Sequence, residues 1–430
     1  GSEMCIRDRV TPFGVFFDAG GASGEPLCLR LTFSLRSNSQ LGANIVREAT
    51  VSAFDSVHQD SAWEWECRLG RIRVDGGTLA QRKTFYTALY HSLLKPSDCY
   101  NENPFRDEDG PIFFDLATMW DQYRTQLPLM LTFYRNRGRN LINALLDISE
   151  REGNFPISYL MERAPERFGR QASALGHVTI ADAFVRGIKG IDWHRALRLM
   201  AHSINKDVRH EFVEKGVVHP VSHTLDLAYA SFLTARLASA LGELGMAKTF
   251  MERAGYWRNA YDLGTGMLKE STFYEGGMWN YAFRLSHDMA GRIAMFPSES
   301  SFVEQLDLFF GFKEPWPGWK GTRFEGLNNE PDFDTPYAYI YAGRHDRTAE
   351  VVRAAMDNKF STTAGGLPGN DDSGALSSWY VWSAIGLFPV AGQELFLIGT
   401  PLFERAALRL ERLFQVRAWR DSPDHQFVVR

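Results

Sequence analysis

The chain is poor in the features that mark several large classes of protein. Only four cysteines serve 430 residues, at Cys5, Cys28, Cys67 and Cys99. They form no CxxC pair and show no metal-site spacing, a disulfide is not indicated, and cysteine usage leaves the compartment open. Positive charge is not in excess: 47 Lys and Arg stand against 52 Asp and Glu, a net charge of −5. Without a basic stripe to neutralise phosphates, nucleic acid is not an expected partner. No run of 18 apolar residues occurs, so no membrane-spanning helix is expected. No solenoid-type repeat is present, and no DxDxDG calcium loop.

Aromatics, by contrast, are abundant, with 31 Phe, 15 Tyr and 11 Trp. Most must be core; some can serve as platforms for the apolar ring faces of sugars. A hydrophobic content of 44% suffices for one large domain or two to three ordinary ones. Residues 11 to about 40 read as short strands, among them "LCLRLTFSL" with Leu27, Leu29, Leu31, Phe33 and Leu35 on one face. The polar stretch "RSNSQLGAN" follows. The period then changes. "QRKTFYTALYHSLLKP" sets Phe85, Leu89 and Leu93 on one helical face and stops before Pro96. Similar spacing recurs from "YRNRGRNLINALLDISE" to "SSWYVWSAIGLF", predicting ten to twelve helices, before "ELFLIG" and "AALRLERLFQVRAW" return to strand patterns. Strands, then many helices, then strands imply segregated domains, not alternating βαβ units.

Four loops collect acidic and amide side chains. "MWDQYRTQLPLM" carries Trp120, Asp121 and Arg124. "FYEGGMWNYAF" sets Glu275 between aromatics and glycines, with Trp279 close behind. "FEGLNNEPDFDTP" holds Glu325, Asn328, Asn329, Glu330, Asp332 and Asp334. "GLPGNDDSGALSSWYVW" places Asp371 beside Asp372 before an aromatic helix. Carboxylates beside Gly and Trp suit glycoside hydrolysis: one carboxyl kept protonated by a partly apolar setting gives its proton to the leaving oxygen, and an ionised one activates water. The oxygen-rich "NNEP" turn would also suit calcium, which takes six to eight oxygen ligands. The plain alternative is a set of Asx turns and helix caps, with Asp372 or Ser373 capping and Trp379 and Trp382 packing a core.

These stretches, in this order, resemble glycoside hydrolase family 92, the calcium-dependent exo-acting α-mannosidases. "GRIRVDGGTLAQRKTFYTALYHSLLKP", "MWDQYRTQLPLM", "GHVTIADAFVRGI", "YEGGMWNYAF", "NNEPDFDTPYAYIYAG" and "GLPGNDDSGALSSWYVWSAIGLFPV" carry the resemblance, over about residues 60 to 400. It implies a mainly α fold, an (α/α)6 barrel preceded by an N-terminal β-sandwich, and an inverting hydrolysis of terminal α-mannose assisted by Ca2+. It implies Glu275 as general acid, Asp372 as general base, and Asp371 as the neighbour that orients water or the metal shell. Asn329 and Glu330 then match the calcium region, and Trp120, Asp121, Arg124, Trp279 and Glu325 the sugar-binding positions. Partners would be mannose-containing glycans or mannosides.

The match has departures. Glu275-Gly276-Gly277-Met278-Trp279-Asn280-Tyr281 stands for Glu-Gly-Asn-Ala-Trp-Gln-Tyr, Phe333-Asp334 for a His-His pair, and Phe324-Glu325 for the His-Glu of α-1,2-specific members. The expected organisation is a non-native scar at 1–9, the last strands of the sandwich at 10–43, the barrel at 44–393, and a truncated C-terminal β segment at 394–430, from a parent that is secreted or periplasmic. Two other readings remain open: a catalytically impaired carbohydrate-binding relative, and an inverting glycosidase of different sugar specificity on the same barrel.

Overall fold

The structure, a computed structural model, describes residues 30–48, 54–114, 116, 119–159, 172–206, 210–285, 287–312, 327, 330–410, 413–418 and 427–429. The strands read at 11–29 lie outside these residues, as do Glu325, Asn328 and Asn329. Where the description begins, residues 30–34 form no strand, and Asn38–Glu48 is a helix that runs across the expected boundary at 43/44. The polar stretch read as a connector is thus helical. Its weak apolar content hid the period, since Asn44 is its one fully buried residue.

Helices dominate, and they are of two kinds. Gln126–Phe133, Leu175–Val185, Val221–Ala240 and Ala375–Ile385 are buried nearly all round; in the last, all eleven residues are buried. A helix apolar on every side must be enclosed by others. Arg135–Glu152, Trp193–Lys206, Leu244–Ala254 and His345–Lys359 present a single apolar stripe and pack against the buried set. Among the described residues no helix is long and apolar enough to cross a membrane.

Leu79–His91 shows why the local sequence folds as it does. Thr78 and Gln81 form a capping box: the Thr78 hydroxyl accepts from Gln81 N at 3.2 Å, and the Gln81 side chain accepts from Thr78 N at 2.8 Å. Phe85, Leu89 and Leu93 are buried, as their spacing predicts. The helix lies against Ala375–Ile385 and so braces the loop that precedes it.

The C-terminal strands form as read. Arg405–Arg409, Leu413–Ala418 and Phe427–Val429 make an antiparallel sheet whose other edge is Ile72–Asp75, paired Ile72↔Leu408 through Asp75↔Arg405. Val74, Ala406, Leu408 and Val416 face inward. The Ile72–Asp75 strand is too short to betray its alternation.

Candidate active site

Side-chain hydrogen bonds tie three of the four polar loops to one another and to the last buried helix. Trp379 Nε1 donates to Phe333 O at 2.7 Å, and Trp382 Nε1 to Thr125 O at 3.0 Å. Thr125 Oγ1 in turn donates to Ala375 O at 2.7 Å. The two tryptophans are therefore core, as the plain reading expected, yet they also hold the "NNEPDFD" and "MWDQYRT" segments in place. Asn280 Nδ2 donates to Asp332 Oδ1 at 3.2 Å, linking the Glu275 segment to the same acidic turn. Trp120 packs edge-on against Tyr274 with ring centroids 5.6 Å apart.

Glu275 sits at the tip of a two-residue hairpin, where Phe273 pairs with Gly276. Its φ is +47°, at a turn position where glycine or asparagine normally sits. Asp372 has φ +44°, followed by Ser373 at +59° and Gly374 at +85°. Left-handed non-glycine residues cost about 1–3 kcal/mol each and persist where the surroundings over-determine them. The two carboxylates read as acid and base both carry this strain.

Three carboxyls meet here at graded depth: Asp121 is buried, Asp372 half-buried and Glu275 exposed. They act on one another through charge. Burial first, then the charges of Glu275 and Asp371, raise the pKa of Asp372 above the ordinary aspartate value. Burial holds Asp121 well above it, with Asp372 and Glu275 adding to the rise and Arg124 opposing. Asp121 Oδ1 is buried and has no hydrogen-bond partner among the described residues. A protonated Asp121 can both donate to and accept from a sugar hydroxyl.

Asp371 faces the other way. Its Oδ1 accepts from Ser377 N at 2.9 Å, and Oδ2 lies 3.8 Å from His91 Nδ1. It is the side chain that satisfies the first turn of Ala375–Ile385, a role the plain reading gave to Asp372 or Ser373. Trp279 is half-buried and stacks obliquely with Phe283 at 5.8 Å. Of Glu330 only the backbone is described, in the short turn Glu330–Asp332.

Arg124, next but two after Asp121, belongs to a second charged cluster that sequence reasoning missed in part. Arg124 Nε donates to Asp334 Oδ2 at 3.3 Å, as does Leu285 N at 3.2 Å. Arg284 Nη2 donates to Asp226 Oδ1 at 2.7 Å. All four charged side chains are buried around one small internal cavity. Asp334 was grouped with the metal-binding turn, and the structure gives it to Arg124. The signal for Asp226 was visible in "TLDLAYASF", where one acid interrupts an apolar helix. Among the described residues, no group of three or more His, Cys, Asp or Glu side chains is disposed to hold a metal.

A secreted glycosidase of Arthroderma benhamiae, itself uncharacterized, is 24% identical over 91% of this chain and 55% of its own length. A family 92 inverting mannosidase of Bacteroides thetaiotaomicron superposes with TM-score 0.79 at 24% identity, covering 90% of this chain and 60% of that one. A second α-mannosidase of that organism, in complex with mannoimidazole, gives TM-score 0.78 at 24% identity over 89% and 56%. At this identity the structural likeness carries the fold, and the chain spans less than two thirds of these relatives' length. The pattern of the glycosyl hydrolase family 92 catalytic domain matches residues 40–430, and the chain belongs to that family.

Proposed function

We propose that the chain is the catalytic body of an exo-acting α-mannosidase that cleaves terminal α-linked mannose with inversion, assisted by calcium. The carrying observation is the coupled set of Asp121, Asp372 and Glu275, two of them on strained backbone in a family of glycosidases. The buried and single-striped helices are read as the pairs of an (α/α)6 barrel, with the helix Asn38–Glu48 crossing its expected start at 44. A relative described as secreted favours a secreted or periplasmic parent.

Glu275, exposed at its hairpin tip, protonates the leaving oxygen. Asp372 takes the proton of the attacking water, and its raised pKa makes it a stronger base once ionised. Asp121 and Arg124 hold sugar hydroxyls, and Asp371 fixes the loop that carries Asp372. Inversion requires about 6.5–9.5 Å between acid and base to admit the water. Ca2+ would supply a Lewis-acidic grip on sugar hydroxyls. Of the described carboxylates that follow its proposed ligands Asn329 and Glu330 in the chain, Asp332 accepts from Asn280 and Asp334 from Arg124.

Proton NMR of the first-formed sugar tests the reading. Released β-mannose is expected from an aryl α-mannoside; α-mannose appearing first would overturn inversion, and turnover of the α-glucoside alone would overturn the sugar. Calcium should raise the melting temperature of chelator-treated protein and restore its activity, with magnesium a poor substitute. No change in either removes the metal.

A further inference from the structure

A groove of about 760 Å³ runs along the outer side of the Asp371 loop, between Phe54–Leu69, Leu79–His91 and the turn at Ser361–Leu367. Trp65 and Tyr90 line it, their rings 4.6 Å apart and tilted by 54°. Both are part-exposed. Ser361 and Thr363 offer hydroxyls at the opposite wall. Ser377, fully buried, lines the floor, and among the described residues its Oγ has no hydrogen-bond partner. A buried hydroxyl left unpaired costs on the order of 1–3 kcal/mol, which a ligand hydroxyl would relieve.

The groove is continuous with the catalytic loop. Ser377 N donates to Asp371 Oδ1, and His91, also lining the groove, lies 3.8 Å from Asp371 Oδ2. The two residues in contact with Asp371 thus line the groove, while Asp372, its neighbour, is coupled by charge to Glu275 and Asp121. The volume is that of an ordinary small-ligand site, aromatic with a few placed polar groups. A pyranose offers matching chemistry: an apolar face for Trp65 and Tyr90, and a hydroxyl rim for Ser377, Ser361 and Thr363.

We propose that this groove is a second sugar-binding site, which takes a pyranose unit of the glycan other than the one being cleaved. The proposal rests on the glycosidase reading for its ligand class and on the groove itself for its place. Binding to the site pins the Asp371 side of the loop and so favours extended glycans over simple mannosides.

The test uses the full chain and two separate readouts. Tryptophan fluorescence and NMR titration with α-mannotriose, methyl α-mannoside and maltotriose measure binding directly, whether or not the protein turns over. Trp65→Ala and Tyr90→Ala should weaken mannotriose binding about ten-fold, the effect of losing one aromatic face, and leave methyl mannoside binding unchanged. Trp65→Phe should restore most of the loss, which a merely destabilised variant would not show. In turnover, KM for the trisaccharide should rise in Trp65→Ala with kcat and the aryl mannoside unaffected. Equal mannotriose binding by the wild type and both alanine variants overturns the proposal, as does tight binding of an apolar peptide in place of any sugar. Binding of sugar at the groove with no turnover at all would keep the groove and sink the mannosidase reading.

Discussion

At the scale of single residues, the informative signal is conformational. Glu275 and Asp372 occupy the left-handed region at positions where glycine would be cheaper, and both bear carboxylates. Such strain persists where the surroundings over-determine the backbone. If Glu275 is the acid, Glu275→Gln should lower kcat on a poor leaving group by about 10²-fold or more. A dinitrophenyl leaving group needs little protonation and should lose far less. Equal losses on both substrates would falsify the role. Asp121 makes a second prediction, from stability. Its carboxyl is raised in the fold by burial and by its acidic neighbours. The fold thus prefers the protonated form, and this preference stabilises fully below the unfolded value near ~4. The contribution is lost as pH rises through the folded value. Asp121→Asn, neutral at every pH, should match the wild type near pH 4 and melt a few degrees (~2–5 °C) higher at neutral pH, while sugar binding weakens. A gap between the two melting curves that does not change with pH would show that folding does not raise the carboxyl's pKa.

At the scale of elements, the sequence spoke most clearly where the period was long. Phe85 and Leu89 fell on the predicted face because the Leu79–His91 helix runs thirteen residues with a capping box at its start, and Leu93 is buried in the turn just past its end. Asn38–Glu48 was missed because its face is mostly polar, and Ile72–Asp75 because four residues cannot display alternation and its partner lies at 405–409. The site was legible as loops, since Gly, Asn and Asp cluster there, but their joining was not. The Asn280–Asp332 and Trp379–Phe333 contacts span about fifty residues each and depend on helix packing. Likewise, which of two adjacent aspartates couples to Glu275 and which caps the helix is set by backbone torsion, which composition does not carry. Gly374 shows the constraint. Its φ is +85°, and an added Cβ would lie 2.8 Å from both His91 O and Ser92 Cα, neither of which can swing away. Gly374→Ala should cost about 2–4 kcal/mol, from left-handed strain plus a backbone clash. It should also depress kcat on good and poor leaving groups alike, because it shifts the whole Asp371–Asp372 loop. A stable Gly374→Ala protein with unaltered kinetics would show that the helix and the loop are not mechanically joined.

At the scale of the whole molecule, the helical body is closed by a sheet that joins its two ends. Ile72–Asp75 pairs with Arg405–Arg409, and Phe403 packs edge-on against Phe85 with centroids 5.3 Å apart. Ile72, Val74, Ala406 and Leu408 bury their side chains in this seam. Fully burying a side chain the size of Ile, Leu or Val is worth about 1.5–3 kcal/mol. Losing three such residues would forfeit roughly 5–9 kcal/mol, comparable with the 5–15 kcal/mol that holds a domain folded. The sheet is therefore not an appendage to the helices. Deleting everything after Glu404 strips Ile72 and Val74 of their partner strand and leaves Phe403, which packs on Phe85 of the helix that braces the Asp371–Asp372 loop, at a free end. The expected result is a chain that keeps helical circular dichroism but loses its sharp melting transition, binds ANS, and has no measurable turnover. Adding the missing segment back as a peptide should restore part of the transition if pairing with Ile72–Asp75 is the cause. If the shortened chain melts cooperatively within a degree or two of the full one, the helices close without the sheet, and the seam does not support the site.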